Sequence, residues 1–362
     1  MSDPLKLAVA GLGRMGSVHA LNVLEISQQT GLCQLAAVAD VDEGRIRRFK
    51  IDANCDVPSF TSVAELAASG LCDATFVVTP TADHRDHATE LIRAGQRVLV
   101  EKPLTGAVES DREFVAELDA TYPHSLMLAF QRRFDVPLHY ARQLVQDGAI
   151  GRVIKVYSSL EDSAPAPDGY QSDGILPDMS IHNVDEVLWL LGRMPVAALA
   201  VGSRVFSHKL TTCKEDFDDA VLYLWFEDDV TAQIQVSRNH VSGYRVESVI
   251  YGEQGQIQVG RFLQKSDEVL VQAFGGRFAS EPIARRVFAT EQDRHDRPEF
   301  ESRFGAAYKA ELLTFIECCR QGQPFPTTHR DGYRAQQVIA AGMSRMLTKA
   351  DAAVLHSADA GA

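Results

Sequence analysis

Glu101-Lys102-Pro103 closes the apolar run Arg97-Val98-Leu99-Val100, and Asp178 and His182 stand one helical turn apart just after Pro177. A proline that follows a lysine biases it away from helical geometry, so the ammonium points from a defined place at a strand end. Such a lysine can stabilise a developing oxyanion or exchange a proton. A histidine with a carboxylate one turn away can take up a proton near neutral pH, because the carboxylate favours its charged form. Each has a bland reading alone: a solvated lysine, and an N-cap aspartate before a hydrogen-bonded structural histidine. They become a candidate catalytic set for hydride transfer because a dinucleotide-type glycine motif precedes them.

That motif, Gly11-Leu12-Gly13-Arg14-Met15-Gly16, follows an apolar run at 5–10 and opens a helical pattern. The first glycine permits a tight turn and the second lets backbone approach a pyrophosphate. The third lets helix and strand pack closely, while the helix N-terminus favours phosphate charge. Asp40 ends the next apolar run, where an acidic residue bonds the adenosine ribose hydroxyls and repels a 2′-phosphate, so NAD is expected over NADP. Arg45, Arg47 and Arg48 lie a turn or more beyond and read as helix surface. Thr79-Pro80-Thr81 ends another strand on the ligand side of such a sheet. His84 and His87 follow at helix spacing but lack a convincing third ligand. We expect no metal, and packing of His84 near the cofactor.

These residues need a scaffold. Apolar runs at 5–10, 35–39, 75–79, 98–100 and 126–130 alternate with helical patterns at 16–26, 44–49, 63–68, 84–94 and 110–120. Such alternation implies an α/β domain with a doubly wound parallel sheet. The pattern changes near 131, which divides the chain into a dinucleotide-binding Rossmann domain at 1–131, an α+β domain at 132–350 and a frayed tail at 351–362. After a helix at 138–146, period-two segments at 153–158, 198–205, 220–226, 231–238, 246–251 and 269–274 imply a large open, mainly antiparallel sheet. Glu227-Asp228-Asp229 reads as a hairpin turn. Residues 278–304 read as a long loop, before helices at 307–320 and 331–346. The apolar stripe Ile181, Val184, Val187, Leu188 and Leu191 leaves Asp178, His182 and Asp185 together on a different helix face.

At 362 residues and 45% hydrophobic, the chain has apolar surface for two globular cores. Its formal charge of −13 argues against nucleic-acid or anionic-membrane partners, which select a basic footprint. The 6 cysteines show no metal or redox spacing and read as reduced thiols. The start of the chain lacks the pattern of a secretory signal, and no apolar stretch approaches the roughly 20 residues that span a bilayer. A cytoplasmic location is expected.

The sequence resembles the Gfo/Idh/MocA family, which takes its name from glucose–fructose oxidoreductase and inositol dehydrogenase. The likeness runs from Ala8-Val9-Ala10-Gly11-Leu12-Gly13 through Val100-Glu101-Lys102-Pro103-Leu104 to Arg303-Phe304-Gly305-Ala306-Ala307-Tyr308 and Asp331-Gly332-Tyr333. Phe130-Gln131-Arg132-Arg133-Phe134-Asp135 and Asp178-Met179-Ser180-Ile181-His182 point to its inositol dehydrogenase branch. The resemblance implies NAD-dependent oxidation of a ring hydroxyl of a cyclic polyol to a ketone. A pyranose or glycoside dehydrogenase is the next reading, an NAD-dependent glycosidase a further one, and a silent NAD-binding regulator the last. It implies a catalytic set of Lys102, Asp178 and His182 and a cis Lys102–Pro103 bond. Arg132 and Tyr244 fall on substrate-pocket positions. Thr79, Thr81, His84 and Glu101 lie around the cofactor with the glycine loop, and a homodimer or homotetramer forms through the second-domain sheet. Two stretches depart from the inositol branch. Ser242-Gly243-Tyr244-Arg245 stands where Tyr-Gly-Tyr-Asp is common, and Glu161-Asp162-Ser163-Ala164-Pro165 replaces a more basic loop.

Overall fold

Nearly continuous apolar runs make strands that can be buried on both faces only between helices. In the computed structural model this describes the first half of the chain. Its strands are β1 (Leu5–Ala10), β2 (Cys33–Ala39), β3 (Ser59–Phe60), β4 (Ala74–Val77), β5 (Arg97–Val100) and β6 (Leu126–Leu128). They pair in the order β3-β2-β1-β4-β5-β6, all parallel. Between them run α1 (Arg14–Thr30), α2 (Glu43–Asp52), α3 (Val63–Ala68), α4 (His84–Arg93) and α5 (Val108–Thr121). The chain reverses its direction of winding between β1 and β4. The crevice outside the carboxyl ends of those strands is where ligands of such sheets bind. The structure describes residues 3–162, 172–205, 216–260, 268–276, 280–290 and 299–352; Ser163, Ala164, Pro165 and the tail from 353 lie outside these ranges.

The second half starts with α6 (Val136–Gln146), whose N-cap Asp135 accepts from the Leu138 N–H and whose first turn holds Pro137. A nine-stranded sheet follows. Its members are β7 (Val153–Glu161), β8 (Ala197–Ser203), β9 (Asp219–Trp225), β10 (Thr231–Ser237), β11 (Arg245–Gly252), β12 (Gly255–Gly260), β13 (Glu268–Gly275), β14 (Ala284–Ala289) and β15 (Met346–Leu347). Most neighbours are antiparallel, but β7 lies at the centre and pairs parallel with β10. Asp228 and Asp229 adopt left-handed backbone (φ 63° and 55°) in the expected turn between β9 and β10. Buried and half-buried residues alternate along β9 and β10, since one face packs against α6, α7 (Ile181–Leu191) and α9 (His329–Met343).

Three local expectations need correction. The stretch 278–304 is not a long loop: it contains β14 and the start of α8 (Glu299–Gln321). β14 pairs on one side only, with β13, and its Arg285 and Arg286 belong to the charged character of a sheet edge, which hides the period-two pattern. β12 escaped notice because glycines at both ends and two glutamines dilute its apolar signal. The Asp178 segment is a π-helical turn, Leu176–Ser180, leading into α7. A π turn adds a residue per turn, so the spacing argument that put Asp178, His182 and Asp185 on one face does not carry across it.

The C-terminal segment also does not stay with the second sheet. Leu312, Phe315 and Ile316 of α8 enter the core of the first sheet beside Leu7, Val9 and Phe76. Arg97 at the start of β5 secures the end of α8: its guanidinium donates to the Cys318, Gln323 and His124 carbonyls and lies 3.8 Å over the Phe325 ring. Among the described residues no helix is long and apolar enough to cross a membrane. Arg97→Ala is expected to lower stability by about 2 kcal/mol, since several carbonyls lose a charged donor. Chemical denaturation at constant m-value measures it, and an unchanged midpoint would contradict this anchoring role.

Candidate active site

The turn after β1 is built for a close ligand. Gly11 has φ +94°, and a Cβ there would come within 2.5 Å of the Val78 carbonyl oxygen. A Cβ on Gly16 would lie 1.7 Å from the Gly11 oxygen, so strand and helix touch through glycines. At Gly13 a Cβ would meet nothing within 4 Å, and α1 has no side-chain cap. Uncapped first-turn N–H groups beside open space fit a pyrophosphate. Leu12 donates its N–H to Asp40 Oδ2 at 2.6 Å, and Asp42 donates to Asp40 Oδ1 at 2.8 Å, so the buried Asp40 carboxylate ties the glycine turn to β2. Arg45 approaches Asp40 Oδ2 only to 3.8 Å and is largely exposed. Arg14 and Met15 turn to the other half of the molecule: Arg14 lies over Phe300, and Met15 packs with Phe304, Tyr308 and Phe300 of α8.

At the ends of β4 and β5, His84 is fully enclosed, with its ring nitrogens 2.9 Å from the Thr79 and Pro103 carbonyl oxygens. Burial pushes its pKa below the ordinary histidine value against those carbonyl contacts. His84 therefore joins the two strand ends, and both its nitrogens are already engaged. Thr79 Oγ1 bonds His87 Nδ1 at 3.0 Å, and Thr81 opens the short turn Thr81–Asp83 before α4. Glu101 faces back toward α1, where its Oε1 meets His19 Nε2 at 3.0 Å, and its Oε2 accepts the Lys102 N–H at 3.1 Å. Burial raises the Glu101 pKa, but the His19 hydrogen bond and the Lys102 charge outweigh it, leaving the carboxyl below its usual range. The Lys102–Pro103 peptide is cis.

Lys102 is where the halves meet. Its Nζ donates to the Asp178 carbonyl oxygen at 3.0 Å and lies 3.4 Å from Asp178 Oδ1. Asp178 Oδ2 accepts from Arg238 Nη2 at 3.1 Å, just beyond the end of β10. His182 is half-buried, and its Nδ1 is enclosed without a hydrogen-bond partner. Burial first, then the charges of Lys102 and Arg132, push the His182 pKa well below 6.5. This corrects the sequence argument: the Asp178 carboxylate is engaged with Lys102 and Arg238 and does not raise His182. Asp185 is also drawn elsewhere, to Arg133 at 2.6 Å, and Arg133 bridges on to Asp331.

Arg132 lies under this cluster. Nη1 pairs with Glu186 at 2.7 Å in full burial, while Nε and Nη2 have no partner. Glu186 also accepts from the Ser158 and Ser248 hydroxyls. Tyr244 packs on Phe304 and Tyr308, and Glu299 at the start of α8 accepts its N–H at 2.6 Å. Burial pushes the Tyr244 hydroxyl up to about 12, so it stays a neutral donor. Among the described residues no group of three His, Cys, Asp or Glu could hold a metal ion. Sequence reasoning missed His19, Glu186 and Arg238. The signals were thin: a histidine one turn after Gly16, an acid beside an expected site residue, and an arginine closing an alternating strand.

The two departures from the inositol branch meet in space. Arg245 Nη1 donates to Glu161 Oε2 at 2.8 Å, as register partners on β11 and β7, and Arg245 also binds Glu247. Each stretch thus supplies one residue to a single ion pair on the sheet.

Residues 5–122 match the oxidoreductase family with an NAD-binding Rossmann fold, and residues 138–258 match the Gfo/Idh/MocA C-terminal domain. The chain belongs to the Gfo/Idh/MocA family of NAD-dependent oxidoreductases. It is 28% identical to scyllo-inositol 2-dehydrogenase (NAD(+)) of Bacillus subtilis, over 89% of this chain and 88% of that protein. It is likewise 28% identical to myo-inositol 2-dehydrogenase of Thermotoga maritima, over 91% and 93%. The crystal structure of a myo-inositol dehydrogenase from Corynebacterium glutamicum is 26% identical and superposes with a TM-score of 0.78, covering 95% of this chain and 96% of that one. Asp40→Ser is expected to weaken NAD binding and raise the NADP:NAD ratio of kcat/KM by about tenfold or more, equivalent to ~1.4 kcal/mol. Parallel kinetics with both cofactors check this, and an unchanged ratio would remove Asp40 from the selectivity role.

Proposed function

We propose that this oxidoreductase uses NAD to oxidise a ring hydroxyl of a neutral cyclic polyol of the inositol class to a ketone. The observation that carries the reading is the contact of Lys102 with Asp178 across the two halves, beside an uncharged His182. The inositol dehydrogenases among its relatives support the substrate class. Of the two departures from that branch, Glu161 and Arg245 are spent on one another.

Bound NAD supplies the hydride acceptor at nicotinamide C4. His182, kept neutral by its burial and the nearby cations, takes the hydroxyl proton at Nε2, since Nδ1 is enclosed. Lys102 donates a hydrogen bond to the oxygen as its negative charge develops, and Asp178 holds the ammonium in place. The carbinol C–H electrons leave with the hydride as C=O forms, so one proton and one hydride depart. Arg132 Nη2 and the Tyr244 hydroxyl are donors for neighbouring ring hydroxyls. In this reading the glycine turn, Asp40, Thr79, Thr81 and Glu101 hold the cofactor between α1 and Lys102. Acid–base help of this kind contributes about 10²–10⁴-fold.

Lys102→Met is expected to cut kcat by about 10²-fold or more while leaving stability and NAD affinity nearly intact. His182→Asn should do the same and abolish the acidic limb of the pH–rate profile. In the wild-type enzyme that limb lies below pH 6.5, because the folded-state shift is downward and activity falls only once His182 gains a proton. Nicotinamide absorbance with a panel of inositols, pyranoses and glycosides reads all of this. An acidic limb centred above 6.5, or a variant with wild-type kcat, would contradict the assignment. Turnover of a glycoside without net NADH would select the glycosidase reading instead.

Among the described residues, a half-buried face of the second sheet supports a homo-oligomer. Val221, Tyr223 and Trp225 of β9 lie half-buried there, in register with Gln235, Gln233 and Thr231 of β10. Light scattering should find a dimer or tetramer, and Tyr223→Glu should shift it toward a smaller species. A wild-type monomer at micromolar concentration would sink this assignment.

A further inference from the structure

We propose that Arg238 is a positioning residue that holds the Asp178 carboxylate on the Lys102 side of the site and away from His182. The proposal rests on the polyol-oxidation reading and deepens it. Arg238 is nearly enclosed, and its Nη2 donates to Asp178 Oδ2 at 3.1 Å while Lys102 Nζ faces Oδ1 at 3.4 Å. Each carboxylate oxygen therefore meets a cation from a different strand end, β5 on one side and β10 on the other.

Arg238 is itself fixed. Its N–H donates to the Asp218 carbonyl at 2.8 Å, the next residue, Asn239, donates its side-chain amide to Asp218 Oδ1 at 2.9 Å, and the Asn239 N–H donates to Ser237 Oγ at 3.0 Å. Asp218 is fully buried. The guanidinium thus projects from a braced strand end, as a preorganised support must.

The consequence falls on His182, whose enclosed Nδ1 has no hydrogen-bond partner while Asp178, on the π turn that leads into the same helix, is held by Lys102 and Arg238. The ionisable groups around His182 come from several elements. Lys102, just past the end of β5, and Arg132, in the turn Gln131–Phe134, are the charges that act on His182, while Asp178 of the π turn meets both Lys102 and Arg238, the latter just past β10. On its own helix, Asp185 and Glu186 are tied to Arg133 and Arg132. Asp331 of α9 is tied to Arg133, and Glu161 of β7 to Arg245. In this proposal the placement of Asp178, whose carboxylate meets Lys102, sets whether His182 is charged. With Arg238 present it serves Lys102, and the site keeps a neutral base beside a fixed cation. Without Arg238 the carboxylate can turn to His182 and raise its proton affinity.

The test is an NMR titration of the cofactor-free enzyme carrying ¹³C-labelled histidine, with the His182 signal assigned by its loss in His182→Asn. Arg238→Gln should move the His182 titration up by about one unit or more and lower kcat with the best polyol by about tenfold or more. The Asp178→Asn/Arg238→Gln double variant should abolish the upward shift. Arg238→Lys should restore most of the kcat, and NAD affinity should stay within about twofold of wild type. If the glutamine variant does not fold, Arg238→Met, which keeps the buried stem, gives the same reading. An unmoved His182 titration, or an upward shift that persists in the double variant, overturns the proposal. A wild-type enzyme inert toward every polyol overturns the functional reading alone, since the titration needs no substrate.

Discussion

The contact between Lys102 and Asp178 joins the end of a strand of the first sheet to a helix packed on the second, and much of the molecule follows from the need to keep it. The lysine comes from the end of a parallel strand, the aspartate from a π turn entering a helix of the other half. A displacement of even 1 Å between the halves would part them, and catalytic positioning is that sensitive. The halves are accordingly cross-braced. α8 packs into the first sheet and Gln336 of α9 donates to Gly106 O in the turn after Lys102, while within the second half Arg303 of α8 grips the Asp135 cap of α6. Arg133 adds a buried bridge between α7 and α9.

Electrostatics divide the labour inside that frame. Cations near His182 and its burial keep it neutral, whereas the carboxylate that could have charged it is spent on Lys102. The proposed oxidation needs a base and a fixed positive charge at the same oxygen, and a shared carboxylate would blur them. The His19–Glu101 pair reaches back from this point to α1, so the helix that opens at the glycine turn and Lys102 share one hydrogen-bonded path.

The parallel sheet was legible because its strands are uninterrupted apolar runs punctuated by glycine, and the glycine turn declares its own geometry. The hairpin at Asp228 and Asp229 was legible for the same local reason. What could not be read locally was anything that depends on partners distant in the chain. β14 hides behind the charges of an edge strand, β12 behind glycines, and the return of α8 to the first sheet leaves no mark on its amphipathic pattern. At the site, Lys102, Asp178 and His182 were visible as residue types. Their wiring was not, because a π turn breaks the helical spacing, and because Arg238, the other cation on Asp178, lies sixty residues further on.

The central claim is that one substrate oxygen is served by a neutral His182 and a charged Lys102 at once. The most direct measurement is a crystal structure of the ternary complex with NAD and an inositol held unreacted at low temperature. The account predicts a ring hydroxyl within about 2.6–3.2 Å of both His182 Nε2 and Lys102 Nζ, with its carbon facing nicotinamide C4 and Asp178 still bound to Arg238. A hydroxyl that reaches only one of the two, or an Asp178 carboxylate turned onto His182, would contradict it.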